Sequence, residues 1–256
     1  MAITLAGDAL VTFLLASVRI ITWIAIVPPF STRAIPAMAK VVLALGLALA
    51  MAPVLGTQRV DMGTAALVMN VLTQVLIGAA MGFVTYLLFM AVTMAGSLVD
   101  MFGGFAMAAA FDPMTMNMNT VFGKFHQMLA TMLLFATGGH LLVIGGLLST
   151  FRFLPLGSAP ESSTITDVIT TAFSLFFTVA VQIALPMIAV LFIADLGLAL
   201  LTKVAPQLNA INVMFPAKIG LTLLLIGLSF PVLPHAMAML VDLANEAMFE
   251  ISGGGG

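Results

Sequence analysis

The sequence has very little charge, and this scarcity is its most informative feature. Only 7% of its 256 residues are charged, whereas 62% are hydrophobic. A soluble domain carries roughly 25% charged residues, so water alone would not solvate a surface this poor in charge. The mean hydropathy of +1.23 agrees. This composition excludes an ordinary soluble enzyme and predicts a protein that lives in lipid, or inside an assembly that replaces lipid.

Further absences narrow the chemistry. The chain has no cysteine, which excludes a disulfide framework, a thiolate metal site and a cysteine nucleophile. The formal net charge is −2 and no basic patch stands out, so nucleic acid is not expected as a partner. The three histidines, His126, His140 and His235, lie far apart in sequence, and we predict no metal and no other cofactor. The sequence has no Gly-x-Ser-x-Gly, His-Glu-x-x-His or Walker pattern, and it is not expected to be an enzyme.

Long apolar runs decide the fold class. In lipid each backbone N–H and C=O must be paired within the structure, which leaves helices or a closed barrel. A barrel would show strands of ~10 residues that alternate apolar and polar positions. The chain instead contains six long apolar runs, at about 9–27, 38–55, 65–99, 125–148, 168–201 and 219–241. We predict an all-α polytopic membrane protein with about six helical segments, several of them broken or hairpin-like.

The organisation along the chain is simple. The first run lacks a basic region before it and a small-residue cleavage site after it, so we interpret it as a retained segment and not a signal peptide. We predict one helical membrane domain over residues 1–252, followed by a flexible glycine tail at 253–256. The loops after the first, third and fifth runs hold more Lys and Arg than the other loops, which favours both termini outside.

Four residues inside the apolar runs are candidates for special roles. Gly78 and Gly82 form a Gly-x-x-x-Gly pair, which predicts close approach of another helix. Arg19 and Asp195 are charges within apolar runs, where a charge costs ~3 kcal/mol on insertion scales. We predict both to be buried charges, with Arg19 paired to a carboxylate or to backbone carbonyls.

The segment from Gly103 to Phe122 is unlike the rest. It is apolar, yet Gly103-Gly104 and Asp112-Pro113 argue against a continuous helix. Irregular backbone at membrane depth is tolerated only where it is buried in protein or lines a cavity. Methionine is also abundant, with 20 residues in the chain, and its unbranched side chain adapts to irregular gaps.

Five pieces of the sequence, in this order, carry a resemblance to a known family. They are R-x8-P-P-F-S-T-R-A-I-P-A-M-A-K from Arg19, A-G-S-L-V-D-M-F-G-G-F-A-M-A-A-A-F-D-P from Ala95, G-G-H at Gly138 with L-L-S-T-F-R-F-L-P ending at Pro155, A-D-L-G-L-A-L-L-T-K-V-A-P-Q-L-N from Ala194, and F-P-A-K at Phe215. Together they resemble the FliR family of flagellar type III export proteins and its virulence-secretion relatives. The likeness covers nearly the whole chain.

The resemblance implies a subunit of the export gate in the flagellar basal body, in the bacterial inner membrane. It implies assembly with FliP-like and FliQ-like small membrane proteins and with FlhB, and passage of unfolded flagellar subunits through the gate. It also implies that the segment matching Gly103–Phe122 acts as a pore plug. The plug residues would be Gly103, Gly104, Phe105, Met107, Phe111, Asp112, Pro113 and Met114.

Two alternatives stay open on the residues alone. The main one is a secondary transporter for a small solute, which would place charges or broken helices at a midplane site within repeated halves. No convincing internal repeat is present. The other is a membrane-embedded enzyme, against which the lack of clustered His, Cys or acidic residues argues.

Overall fold

The fold is helical wherever the structure, a computed structural model, describes regular elements. It describes residues 2–56, 58, 60, 63–105, 120–205 and 210–254. The α-helices are α1 Ala2–Ile26, α2 Ala37–Ala50, α3 Ala52–Leu55, α4 Thr64–Gly103, α5 Val121–Ala136, α6 Gly139–Phe153, α7 Ser162–Val204, α8 Ala210–Leu225 and α9 Val232–Ile251, with a 3-10 turn at Ile226–Ser229. The prediction of an all-α fold is confirmed.

Several of these helices are apolar and long enough to cross a membrane. Three described helices qualify outright, namely α1 over Gly7–Ile26, α4 and α7, and up to five spans result if each of two bent helix pairs counts as one. The chain is therefore a polytopic membrane protein. At 40 residues α4 is about 60 Å long, twice the ~30 Å thickness of the hydrocarbon core. The overlong third run is thus one unbroken helix.

The fourth apolar run is broken, in agreement with the prediction that several of the helical segments are broken. It forms two helices, α5 and α6, separated at Thr137 and Gly138. Gly138 adopts φ 75°, in the left-handed region that glycine enters without steric cost. Hydropathy alone does not reveal this break, because the residues on both sides are equally apolar.

The described chain divides into two compact units. The first comprises Met1–Leu88, Gly138–Ser174 and Leu240–Gly256, and the second comprises Phe89–Thr137 and Leu175–Met239. The helices α4, α7 and α9 each contribute residues to both units, so the single domain predicted over 1–252 stays a prediction. At the end of the chain, the N–H groups of Gly253 and Gly254 bond to Glu250 and Phe249 and close α9. Residues 255–256 lie outside the described residues, and the flexible tail also stays a prediction.

In the first unit α1 packs directly on α4. A Cβ atom added to Gly78 would lie 2.6 Å from the carbonyl oxygen of Arg19, and one added to Gly82 would lie 3.2 Å from Cβ of Ile26. Gly78 and Gly82 are one helical turn apart, so they share a face of α4. The side chain of Trp23 is fully buried on α1 between these contacts. The two backbones approach this closely because neither glycine has a side chain.

This contact predicts the effect of adding one methyl group. Gly78→Ala places Cβ against the Arg19 backbone, which cannot move aside as a side chain would, and we expect a loss of about 1–3 kcal/mol in the free energy of unfolding. The matched control is Gly46→Ala in α2, where an added Cβ meets nothing within 4 Å. Thermal unfolding in mild detergent, followed by helical circular dichroism and by emission of the single tryptophan, checks both variants. Equal melting temperatures for the two variants would contradict close packing at Gly78.

Candidate functional site

Arg19 is the most deeply buried charge among the described residues. It lies on α1 and its exposed fraction is 0%. Its Nε donates to Oε1 of Gln74 over 2.7 Å, Nη2 donates to the carbonyl oxygen of Leu154 over 3.1 Å, and Nη1 donates to Oγ1 of Thr150 over 3.4 Å. The guanidinium carbon lies 4.3 Å from the centre of the Phe151 ring. Neutral acceptors and an aromatic face therefore hold this cation.

Two glutamines extend this arrangement. Nε2 of Gln74 donates to the carbonyl oxygen of Leu156 over 2.9 Å. Gln58 binds the same stretch twice, since its Nε2 donates to the carbonyl oxygen of Phe151 over 2.9 Å and its Oε1 accepts from the N–H of Leu156 over 3.0 Å. Residues 150–156, which we call the anchored segment, thus receive hydrogen bonds from Arg19, Gln58 and Gln74. Three distant parts of the sequence fix the end of α6.

Arg19 was predicted from the sequence as a buried charge, but the roles of Gln58 and Gln74 were not predicted. Gln74 precedes Gly78 by one helical turn, so Gln74, Gly78 and Gly82 share one face of α4. A glutamine one helical turn before a Gly-x-x-x-Gly pair in an apolar helix indicates a polar contact on the same packed face. Gln58 lies in a loop, and no local pattern identifies its partners.

Asp195 lies in a different environment from Arg19. Its Oδ1 is 2.8 Å from Nζ of Lys218, and the two side chains are 33% and 14% exposed respectively. Within the chain Asp195 therefore forms a partly exposed ion pair, in contrast to the buried charge predicted from the sequence. The physical reason is that Lys218 on α8 reaches it along a face of α7 that the chain leaves open.

A second buried polar group lies in the second unit. Asp100 is 1% exposed, and its Oδ2 accepts the N–H groups of Phe122 and Gly123 over 2.9 and 3.1 Å. These are backbone donors of the first turn of α5, which have no partner within that helix. The ring Nδ1 of His126, also buried, lies 2.9 Å from the carbonyl oxygen of Phe122. A carboxylate and an imidazole thus hold the two sides of the Phe122–Gly123 peptide group.

The same region ties the end of α4 to the start of α5. The hydroxyls of Ser97 and Thr120 lie 2.9 Å apart. Gly96 packs against the Phe122 backbone, where an added Cβ would clash. Asp100 and this contact were not predicted from the sequence. An acid in an apolar run close to Gly103-Gly104 does, however, indicate a buried polar contact. We call Ser97, Asp100, Thr120 and His126 the α4–α5 clasp.

Of the predicted plug Gly103–Phe122, the structure describes residues 103–105 and 120–122. Gly104 adopts φ 85°, and a Cβ added to Gly103 would lie 2.7 Å from Oγ1 of Thr222. The ring of Phe105 meets that of Phe122 edge to face, with 4.9 Å between centroids. The other predicted plug residues lie outside the described residues: Met107, Phe111, Asp112, Pro113 and Met114.

These contacts define what the site can do. Within the described ranges no group of three His, Cys, Asp or Glu side chains is placed to hold a metal ion. The buried polar side chains instead bind backbone groups and each other, which locks helices in place. The class is a polytopic membrane protein whose packing depends on buried polar anchors.

Comparison with known proteins identifies the family. The model of the family described as bacterial export proteins, family 1, matches residues 10–244. The chain belongs to this family. It is 32% identical to the flagellar biosynthetic protein FliR of Escherichia coli over 237 residues, 91% of each chain, and 32% identical to FliR of Pectobacterium carotovorum over 239 residues, 92% of each. It is 29% identical to the secretion system apparatus protein SsaT of Salmonella typhimurium over 163 residues, 63% of each chain.

The geometry of Arg19 predicts the cost of removing it. Arg19→Leu leaves the Gln74 amide oxygen and the Leu154 carbonyl buried without their donor, and we expect a loss of about 3 kcal/mol in the free energy of unfolding. Arg19→Lys keeps the charge but not the planar fork of donors, so its loss should be smaller but measurable. Denaturant unfolding in mild detergent provides the measurement. The control is Arg33→Leu, at an exposed position. Similar stability of the two leucine variants would show that the three hydrogen bonds contribute nothing.

Proposed function

We propose that this protein is a core subunit of the flagellar type III protein export gate in the bacterial inner membrane. It forms part of the channel through which unfolded flagellar subunits cross. The main support is the match to bacterial export proteins over residues 10–244, together with 32% identity to relatives named flagellar biosynthetic protein FliR. The apolar helices and their buried polar anchors support a role as a membrane-embedded channel component.

The extent of the matches favours a flagellar over a virulence system. The relatives named FliR match over 88–94% of both chains, whereas the secretion apparatus protein SsaT matches over 63%. A subunit surrounded by partners is constrained along most of its length, because most of its surface takes part in packing. Similarity over the full length therefore supports membership of the flagellar assembly.

The exposed apolar surface supports a multi-subunit gate with FliP-like, FliQ-like and FlhB partners. Along α5 the exposed apolar side chains are spaced alternately by four and three residues, and they are Val121, Phe125, Met128, Met132 and Phe135. This spacing places the five side chains on one face of α5, and we propose that a partner helix covers this face. The energy for export would come from elsewhere in the system, and we propose no enzymatic activity for this chain.

Loss of the gene tests the export role. Its deletion in the source bacterium should abolish motility and remove flagellin from the culture medium while growth continues, and a plasmid copy should restore both. The tagged chain should copurify in mild detergent with different small membrane proteins. A monomer or symmetric homo-oligomer, together with normal flagellin export and a defect in solute uptake, would favour the transporter alternative.

We further propose that Gly103–Phe122 forms a plug in the closed pore. The family resemblance motivates this role, and the α4–α5 clasp supports it, because residues on both sides of the segment are held together. The hydroxyls of Ser97 and Thr120 are in contact, and Asp100 binds the backbone of Phe122. Buried aromatic and methionine side chains would supply an apolar closure.

A deletion separates the plug from an ordinary surface loop. Removal of Ala106–Ala110 should leave assembly intact, because the α4–α5 clasp remains, but it should let small ions or dyes cross the membrane. Dye uptake by cells and copurification of the partners measure the two properties. A deletion variant that assembles and keeps the membrane tight would contradict the plug.

A further inference from the structure

A polar cavity lies beside the anchored segment in the first unit. Its volume is about 590 Å³, within the range of small-molecule sites. Its lining residues are Val54, Gln58, Phe151, Arg152, Pro155, Gly157 and Ser158. They come from α3 and the connection before α4, and from the last turn of α6 and the connection that leads to α7. Neither the proposed export role nor the proposed plug uses this cavity.

The walls of the cavity are fixed before any ligand arrives. Gln58 spans the anchored segment by its two hydrogen bonds to Phe151 and Leu156. Phe151 itself is fully buried. Preformed walls reduce the entropy that a ligand must lose on binding.

The charge around the cavity is positive. Arg152 is exposed at its wall, and the guanidinium carbon of Arg19 lies 4.3 Å from the ring centre of Phe151, a lining residue. Within the described ranges neither arginine forms an ion pair with a carboxylate. The end of the α6 dipole supplies roughly half a negative charge, which offsets only part of these two. The surplus positive charge favours an anion.

The membrane environment favours a lipid as the source of that anion, because phospholipid headgroups border every membrane protein. The connections next to the cavity lead into α4 and α7, two apolar helices long enough to cross a membrane. Arginine presents a planar fork of donors that fits two phosphate oxygens. Ser158 adds a hydroxyl at the wall.

From these observations we infer that the cavity is a binding site for the phosphate headgroup of an anionic phospholipid, with Arg152 as the main ligand. Arg19 strengthens the site through its charge and through Phe151, without touching the lipid. The site would tie a lipid to the same segment that Arg19, Gln58 and Gln74 anchor. This inference does not depend on the export role, because it concerns lipid contact alone.

Lipid-dependent thermal stability tests the inference. The tagged chain, purified with its partners in mild detergent and stripped of lipid, is titrated with phosphatidylglycerol or with phosphatidylcholine of the same acyl chains. Phosphatidylglycerol should raise the melting temperature at lower concentration than phosphatidylcholine, since a ligand that binds only the folded state stabilises it. For Arg152→Gln the required concentration should rise about tenfold, because one hydrogen-bonded charge is lost. Arg152→Lys should show a smaller rise.

Matched controls distinguish a lipid site from a site for small anions and from a contact with a partner subunit. Arg33→Gln removes an exposed arginine that is not among the lining residues of the cavity and should respond as the wild type does. If Arg152→Gln and Arg33→Gln respond alike, the proposed site is refuted. If free glycerol phosphate stabilises the wild type as well as phosphatidylglycerol does, the site binds small anions and the lipid assignment is wrong. If Arg152→Gln releases a partner subunit while its lipid response is unchanged, the cavity holds a protein carboxylate instead.

Discussion

The buried guanidinium of Arg19 constrains the positions of α1, α4 and the end of α6. A cation removed from water is stable only where hydrogen-bond acceptors surround it. Here the acceptors are Gln74, 55 residues further along the chain, and Thr150 and Leu154, 131 and 135 residues further along. Separating either α4 or the end of α6 from α1 would remove one or two of these three acceptors. The requirement therefore fixes α1, α4 and α6 together in one arrangement within the first unit.

Close contacts at glycine and buried hydrogen bonds together stabilise the packing of the helices, because lipid contributes little to helix association. Lipid tails are as apolar as leucine, so the hydrophobic effect hardly favours contact between helices over contact with lipid. Specific packing must come from close approach and from buried hydrogen bonds. Gly78 brings α4 against the backbone of Arg19, one turn from Gln74. In the second unit Gly96 and Asp100 repeat this combination, with a carboxylate that binds backbone N–H groups in place of a cation that binds carbonyls.

The sequence predicted the parts of the fold that depend on local composition. All six apolar runs are mainly helical in their described parts, with interruptions in the second, fourth and sixth runs, and α1 ends just before Pro28-Pro29. Arg19 was recognised as a charge that needs partners, because its cost depends only on the surrounding apolar run. Broken runs were predicted, but the position of the break at Gly138 was not, because it depends on the left-handed backbone of that one glycine. Asp195 was expected to resemble Arg19, because sequence cannot show that one face of α7 is open and the environment of Arg19 is closed.

The sequence by itself determined that the protein is embedded in lipid and that its fold is helical. Five ordered pieces of sequence also determined its family. These follow from composition and local order, which folding does not change. The tertiary structure alone decided that Gln58 and Gln74 meet residues 150–156, that Asp100 binds the start of α5, and that Arg152 lines a cavity without a described acid. The physical reason is that hydrogen bonding and burial depend on which distant segments come within about 3 Å of each other. That distance is set by the packing of whole helices, and no local pattern encodes it.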